Sequence, residues 1–232
     1  MSHTSRSRFS PVRSSRTATL TAASLVLAPV LVSGCSFGEP ELDGTPGAAE
    51  FLVGDFANIR HDGAGDVEIR VGPEPSVEVH ADTGLLAALR VAVTDGTLSL
   101  NGPSWTWGWR DQDVQYTITV PSLESIELSG VGDVSIEGID SAKLAAKLTG
   151  AGALSLAGDC DSLSVELDGA GSVDAQALTA THASVDLSGA GDVAVTATDT
   201  LDVELSGAGD VLYSGGATVD QEVSGAGSVR AR

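Results

Sequence analysis

One short glycine motif recurs six times from residue 129 onward, and this recurrence constrains the chain more than any single residue does. The copies begin with Ser129-Gly130-Val131-Gly132-Asp133-Val134 and Thr149-Gly150-Ala151-Gly152-Ala153-Leu154, followed by Asp168-Gly169-Ala170-Gly171-Ser172-Val173. Ser188-Gly189-Ala190-Gly191-Asp192-Val193, Ser206-Gly207-Ala208-Gly209-Asp210-Val211 and Ser224-Gly225-Ala226-Gly227-Ser228-Val229 complete the series. Successive leading glycines are 20, 19, 20, 18 and 18 residues apart, and a related copy, Asp62-Gly63-Ala64-Gly65-Asp66-Val67, stands far upstream.

Apolar residues between the motifs keep a period of two. Before the glycines come Leu144, Ala146 and Leu148, then Leu163, Val165 and Leu167, then Leu201, Val203 and Leu205; after them come pairs such as Val134 and Ile136 or Val193 and Val195. Polar residues such as Glu127, Glu166, Asp186 and Glu204 fill the alternate places. Strict alternation predicts strands with one buried face and excludes helical repeats. A unit of two short strands and a Gly-x-Gly bend cannot bury its inner face alone, so it must stack on its neighbours at the ~4.8 Å strand spacing. Glycine permits positive φ or close backbone approach at the corner, and an adjacent Ser or Asp can bond the turn backbone. The chain is therefore predicted to be all-β: a parallel β-helix or β-solenoid with coils of 18–20 residues, right-handed by the general preference of such crossovers.

Residues 49–122 are expected to form a less regular, β-rich N-terminal cap to the repeats of 123–232. Strands are expected at 56–59, 66–71, 76–80, 89–93, 97–100 and 114–120, with one helical turn over 82–88 capped by Asp82.

The first 34 residues hold four arginines and no acidic residue, with an uncharged apolar run from Thr17 to Val32. This is the layout of an export signal, and the run is too short for the ~20 residues of a membrane span. Leu31-Val32-Ser33-Gly34-Cys35 resembles the lipobox of bacterial lipoproteins, which implies cleavage before Cys35 and a lipid on its thiol. The expected division is a lipoprotein signal peptide over 1–34, a flexible Gly/Pro/acid-rich tether over 35–48, and the solenoid domain over 49–232. The chain is thus expected to be exported, with the bilayer as a partner through lipidated Cys35. Beyond Gly34, eight basic residues face 32 acidic ones, a net charge of −24 that repels phosphates and argues against nucleic acid as a partner. Cys160 is then the remaining cysteine, with no intramolecular disulfide partner.

Asp55-Phe56-Ala57-Asn58-Ile59, Gly63-Ala64-Gly65-Asp66-Val67, Asp95-Gly96-Thr97-Leu98, Val120-Pro121-Ser122-Leu123 and the Leu-Ser-Gly-x-Gly-Asp-Val repeats from Leu128 resemble the putative autotransporter adhesin head GIN domain family over roughly residues 50–230. The resemblance implies a single-chain β-helical fold without established catalysis. With it goes the expectation of a non-catalytic adhesion or interaction module of the bacterial cell envelope, binding an unidentified protein or glycan. Two alternatives stand beside it: an envelope enzyme acting on polysaccharide from a β-helical scaffold, and a structural or signalling accessory of the envelope.

No catalytic residue, cofactor or metal site is expected. The Gly-x-Gly motifs lack the third glycine and the Gly-Lys-Ser/Thr of phosphate-binding loops. His61, His80 and His182 show no zinc-site spacing, and they read as structural or surface residues. Asp66, Asp133, Asp192 and Asp210 recur after Gly-x-Gly, but Ala153, Ser172 and Ser228 interrupt a calcium ladder, which favours turn capping. Trp105, Trp107 and Trp109 alternate in a chain with 4% aromatics. On one face of a strand or hairpin they would form either a ligand patch or a cover for the first coil, and the cover is the preferred reading.

Overall fold

The structure, a computed structural model, describes residues 44–102 and 114–232; Cys35 and the three tryptophans lie outside the described residues. The described chain is nearly all β and winds into a β-solenoid of about five turns. Its strands are β1 (Pro46–Phe51), β2 (Asn58–His61), β3 (Asp66–Val71), β4 (Ser76–Asp82), β5 (Arg90–Thr94), β6 (Thr97–Asn101), β7 (Gln115–Val120), β8 (Ser125–Leu128) and β9 (Val134–Leu148). Then follow β10 (Ala153–Leu167), β11 (Ser172–Leu187), β12 (Asp192–Leu205), β13 (Asp210–Ser214), β14 (Thr218–Val223) and β15 (Ser228–Ala231); one helix, α1 (Thr83–Ala88), lies between β4 and β5.

Parallel pairing joins β9 to β10, β10 to β11 and β11 to β12, after which β12 pairs with both β13 and β14, and β13 with β15. Equivalent positions of the repeat therefore lie side by side. Val67, Val134, Leu154, Val173, Val193 and Val211 form one buried column, and Leu128, Leu148, Leu167, Leu187 and Leu205 another. Each column removes a continuous stripe of aliphatic surface from water, which a single coil could not do.

Order along the axis departs from order along the chain. β2 lies between β6 and β8, and β3 between β7 and β9. The coil of residues 58–71 is thus inserted between the coil built from β6 and β7 and the one that begins at β8. The upstream motif at Gly63 is the immediate neighbour of the motif at Gly130, with Ala64 bridged to Val131 and Val131 to Ala151. Two coils of the stack consequently lie within the segment expected as an irregular cap.

The outer end is closed by reversed strands. β4 pairs antiparallel with β7, β5 antiparallel with β6, and β1 antiparallel with β4. Helix α1 links β4 to β5 and buries Leu85 completely. The helix starts where expected, because the Asp82 carboxylate accepts the Gly84 N–H at 2.8 Å. Asp95 (φ 50°) and Gly96 (φ 72°) turn β5 back into β6, the left-handed pair that a tight two-residue hairpin requires. Strand pairing begins at Pro46, so the last residues of the expected tether, Pro46 to Ala48, belong to β1.

Candidate functional site

The Gly-x-Gly corners are a structural device. A Cβ built on Gly191 would stand 1.8 Å from the Gly171 carbonyl oxygen, and one on Gly150 2.0 Å from that of Gly130. Close approach between coils is therefore the common requirement; Gly191 has no positive φ to explain its identity. The tight stacking aligns a ladder of backbone bonds along the axis, in which Ala151 N–H donates to Gly130 O, Ala170 to Gly150 O and Ala190 to Gly169 O.

The recurring aspartates belong to the same device. The Asp133 N–H donates to Asp66 Oδ1 at 3.0 Å, Ala153 N–H to Asp133 Oδ1 at 2.9 Å, and Asp210 N–H to Asp192 Oδ1 at 2.9 Å. At the far end Asp210 receives the Ser228 N–H and hydroxyl and the Arg230 guanidinium, and these hold its carboxyl below the usual range. Each carboxylate thus caps a backbone donor of the next coil. Among the described residues no cluster of three or more His, Cys, Asp or Glu is arranged to hold a metal.

The three histidines of the described chain divide. His80 and His182 are exposed, whereas His61 is completely buried at a rung of the leucine column, paired in register with Leu100 and Leu128. Its ring meets Tyr116 edge-on, with centroids 5.4 Å apart, and neither its nitrogens nor the Tyr116 hydroxyl has a hydrogen-bond partner among the described residues. Burial lowers the His61 pKa and pushes the Tyr116 phenol up to about 12. Cys160 is also buried, and burial raises its thiol to about 11, the condition of an inert cysteine.

A concavity of about 1010 Å³ lies on the outer face of the strands that lead into the glycine corners. Two in-register rows form its floor. Lys143, Ser162, His182 and Thr200 are neighbours across four coils, and beside them run Ala145, Ser164, Ser184 and Asp202. Beneath lie the buried side chains of Leu144, Leu163, Ala183 and Leu201. Thr200 Oγ1 is 2.9 Å from His182 Nδ1, and Asp199 Oδ2 is 3.8 Å from the same nitrogen. Of these residues, sequence reasoning singles out His182 alone. The signal that could have found the others is the run of short side chains at one outward place in successive repeats, visible only when the repeats are aligned on their leading glycines.

Cys35 and Trp105, Trp107 and Trp109 cannot be brought into this geometry, because they lie outside the described residues. The residues flanking the tryptophan segment are placed: Gly102 lies against Gly63, and Val114 against Gly65. Both therefore sit at the glycine corner of the coil of residues 58–71.

These features define a single-chain β-solenoid closed at one end by an antiparallel cap, with a grooved outer face. The sequence pattern of the family described as putative auto-transporter adhesin, head GIN domain, matches residues 55–217, and the chain belongs to that family. A putative adhesin from Bacteroides fragilis NCTC 9343 shares the fold with a TM-score of 0.69 at 22% identity, over 82% of this chain and 99% of that one. A putative lipid binding protein from Parabacteroides distasonis ATCC 8503 gives a TM-score of 0.51 at 20% identity, over 82% and 98%. No curated protein is similar enough to match. Among the described residues no helix is long and apolar enough to cross a membrane.

Proposed function

We propose that this chain is a non-catalytic adhesion-type binding protein of the bacterial cell envelope, exported and held on the membrane by a lipid on Cys35. The observation that carries the reading is the register of the outer face. Side chains at the same place in each coil are held at a fixed strand spacing by backbone paired between coils, which gives a rigid array suited to repeated contacts with an extended partner. Membership of a family named for adhesion agrees with this, as does the lipobox-like Leu31–Cys35. The net charge of −20 for the whole chain disfavours nucleic acid and polyanionic surfaces. The partners proposed are the bilayer, through Cys35, and a protein or glycan ligand at the outer face.

Two measurements test the reading. Fatty-acid labelling and membrane fractionation of cells expressing the full chain should show label and membrane retention, both lost in Cys35→Ser. Purified full chain should adhere saturably to isolated envelope fractions without turning over envelope polysaccharide. Soluble release of unlabelled wild type refutes the anchor, and sugar release lost on mutation of surface acids refutes the non-catalytic role.

A further inference from the structure

We propose that the groove over Lys143, Ser162, His182 and Thr200 binds a neutral, hydroxyl-bearing polysaccharide laid along the solenoid axis. This rests on the binding-protein reading and names its ligand class.

Direction and length come first. The groove crosses from Leu123 through the coils at Leu144, Leu163 and Ala183 to Thr200. Four strand spacings of about 4.8 Å give a trough of roughly 19 Å, which suits a chain-like ligand. Its floor repeats with the coil, presenting hydroxyls at Ser162, Ser164, Ser184 and Thr200. A linear polysaccharide offers hydroxyl donors and acceptors in the same repeated manner, and a hydroxyl row on the protein can both donate and accept.

Other extended ligands fit less well. A peptide recognised as an added strand needs an open sheet edge. Here the row Ala145, Ser164, Ser184, Asp202 has a paired strand on both sides, from Ser125 at one end to Asp220 at the other, so its backbone groups are committed. An acyl chain finds no large apolar side chain to seat on: Leu144, Leu163 and Leu201 are no more than 2% exposed, and the apolar residues exposed at the groove are the short Ala142 and Ala145. Acidic polysaccharides and nucleic acids meet Glu124, Asp140 and Asp202 at the groove against Lys143 alone as a permanent positive charge, within a chain of net charge −20.

The test is affinity electrophoresis of the full-length chain through native gels containing neutral polysaccharides (a β-glucan, a mannan and a galactan), with polygalacturonate as the acidic control and sedimentation with anionic phospholipid vesicles as the lipid control. Retardation by at least one neutral polymer is expected. The double variant S164L/S184L should weaken it about tenfold, the scale of one or two lost hydrogen bonds, without changing the unfolding temperature. Should that variant fail to fold, S162A/T200A, which removes two hydroxyls and one methyl and adds no bulk, carries the same expectation. No retardation by any neutral polymer, equal retardation of a folded variant, or binding confined to polygalacturonate or vesicles overturns the proposal. Adhesion to envelope fractions separates the two levels: if the chain adheres and no neutral polysaccharide competes, the ligand class is wrong and the binding role stands. If it adheres to nothing, both fail.

Discussion

Gly130 lies directly over Gly63, although 67 residues separate them in the chain: a Cβ on Gly130 would stand 1.8 Å from the Gly63 carbonyl oxygen. The same contact repeats up the stack. It makes the glycine corner a place where the solenoid does not tolerate a side chain.

Gly191→Ala should accordingly destabilise the protein by about 3 kcal/mol, because the added methyl has backbone rather than a movable side chain in its way. Gly54→Ala is the control, since no atom lies within 4 Å of the place its methyl would take and its φ is not in the left-handed region. That change should be neutral or stabilising by up to ~1 kcal/mol. Urea unfolding of the two variants checks the contrast, and equal effects would refute the close-approach account.

Outward charges in one row are unequally matched. Glu127, Lys147, Glu166, Asp186, Glu204 and Glu222 are successive neighbours in register, and Lys147 bonds the Glu166 carboxylate. Beyond Glu166 every charge in the row is negative. Asp186→Lys would set a cation between Glu166 and Glu204 and is expected to stabilise by ~0.5–1 kcal/mol at low salt, as cross-strand pairs do. Most of that gain should disappear in about 1 M salt. Urea midpoints at the two ionic strengths provide the measurement.

His61 gives a pH dependence with a definite sign. Burial lowers its pKa in the folded chain below the ordinary 6.5, opposed in part by the nearby Gly65 backbone and the charge of neighbouring Asp62. The unfolded chain takes up a proton more readily, so the stability associated with a neutral His61 is complete above about pH 6.5 and declines as pH falls toward the lowered folded-state value. The slope is at most ~1.4 kcal/mol per pH unit. His61→Leu restores the residue type found at Leu100 and Leu128 on either side, and should remove this dependence while raising stability at about pH 5. Parallel pH–stability curves for wild type and variant would contradict the assignment.

For Trp105, Trp107 and Trp109 the expected role is cover. Replacing all three with Ala should lower the unfolding temperature clearly, since loss of a buried Trp costs roughly 3–5 kcal/mol. Loss of envelope binding at unchanged unfolding temperature would assign them to a ligand instead.

Much of the architecture was legible because it is written locally. Alternation around each glycine motif marked the strands of the repeats, Asp82 marked the start of α1, and the Asp95-Gly96 pair of the family pattern is the two-residue turn between β5 and β6. The turn-capping role of Asp66, Asp133, Asp192 and Asp210 was likewise readable, although its direction, across coils rather than within one, was not. The groove was hidden because Ser162, Ser164 and Ser184 are ordinary surface residues taken one at a time. Only their alignment across coils makes a surface of them.

Period, alternation and glycine corners are all set within the amino-acid order, since each is a local requirement repeated every 18–20 residues. Two further features arise only when the chain is folded: the coil at Gly63 enters the stack beside Gly130, and a polar histidine occupies a leucine rung there. Parallel pairing depends on which strand edge is free in space, and the outer coil and cap, with β6 and β7 on one edge of the coil of residues 58–71, leave its other edge open to the chain segment at 125–134.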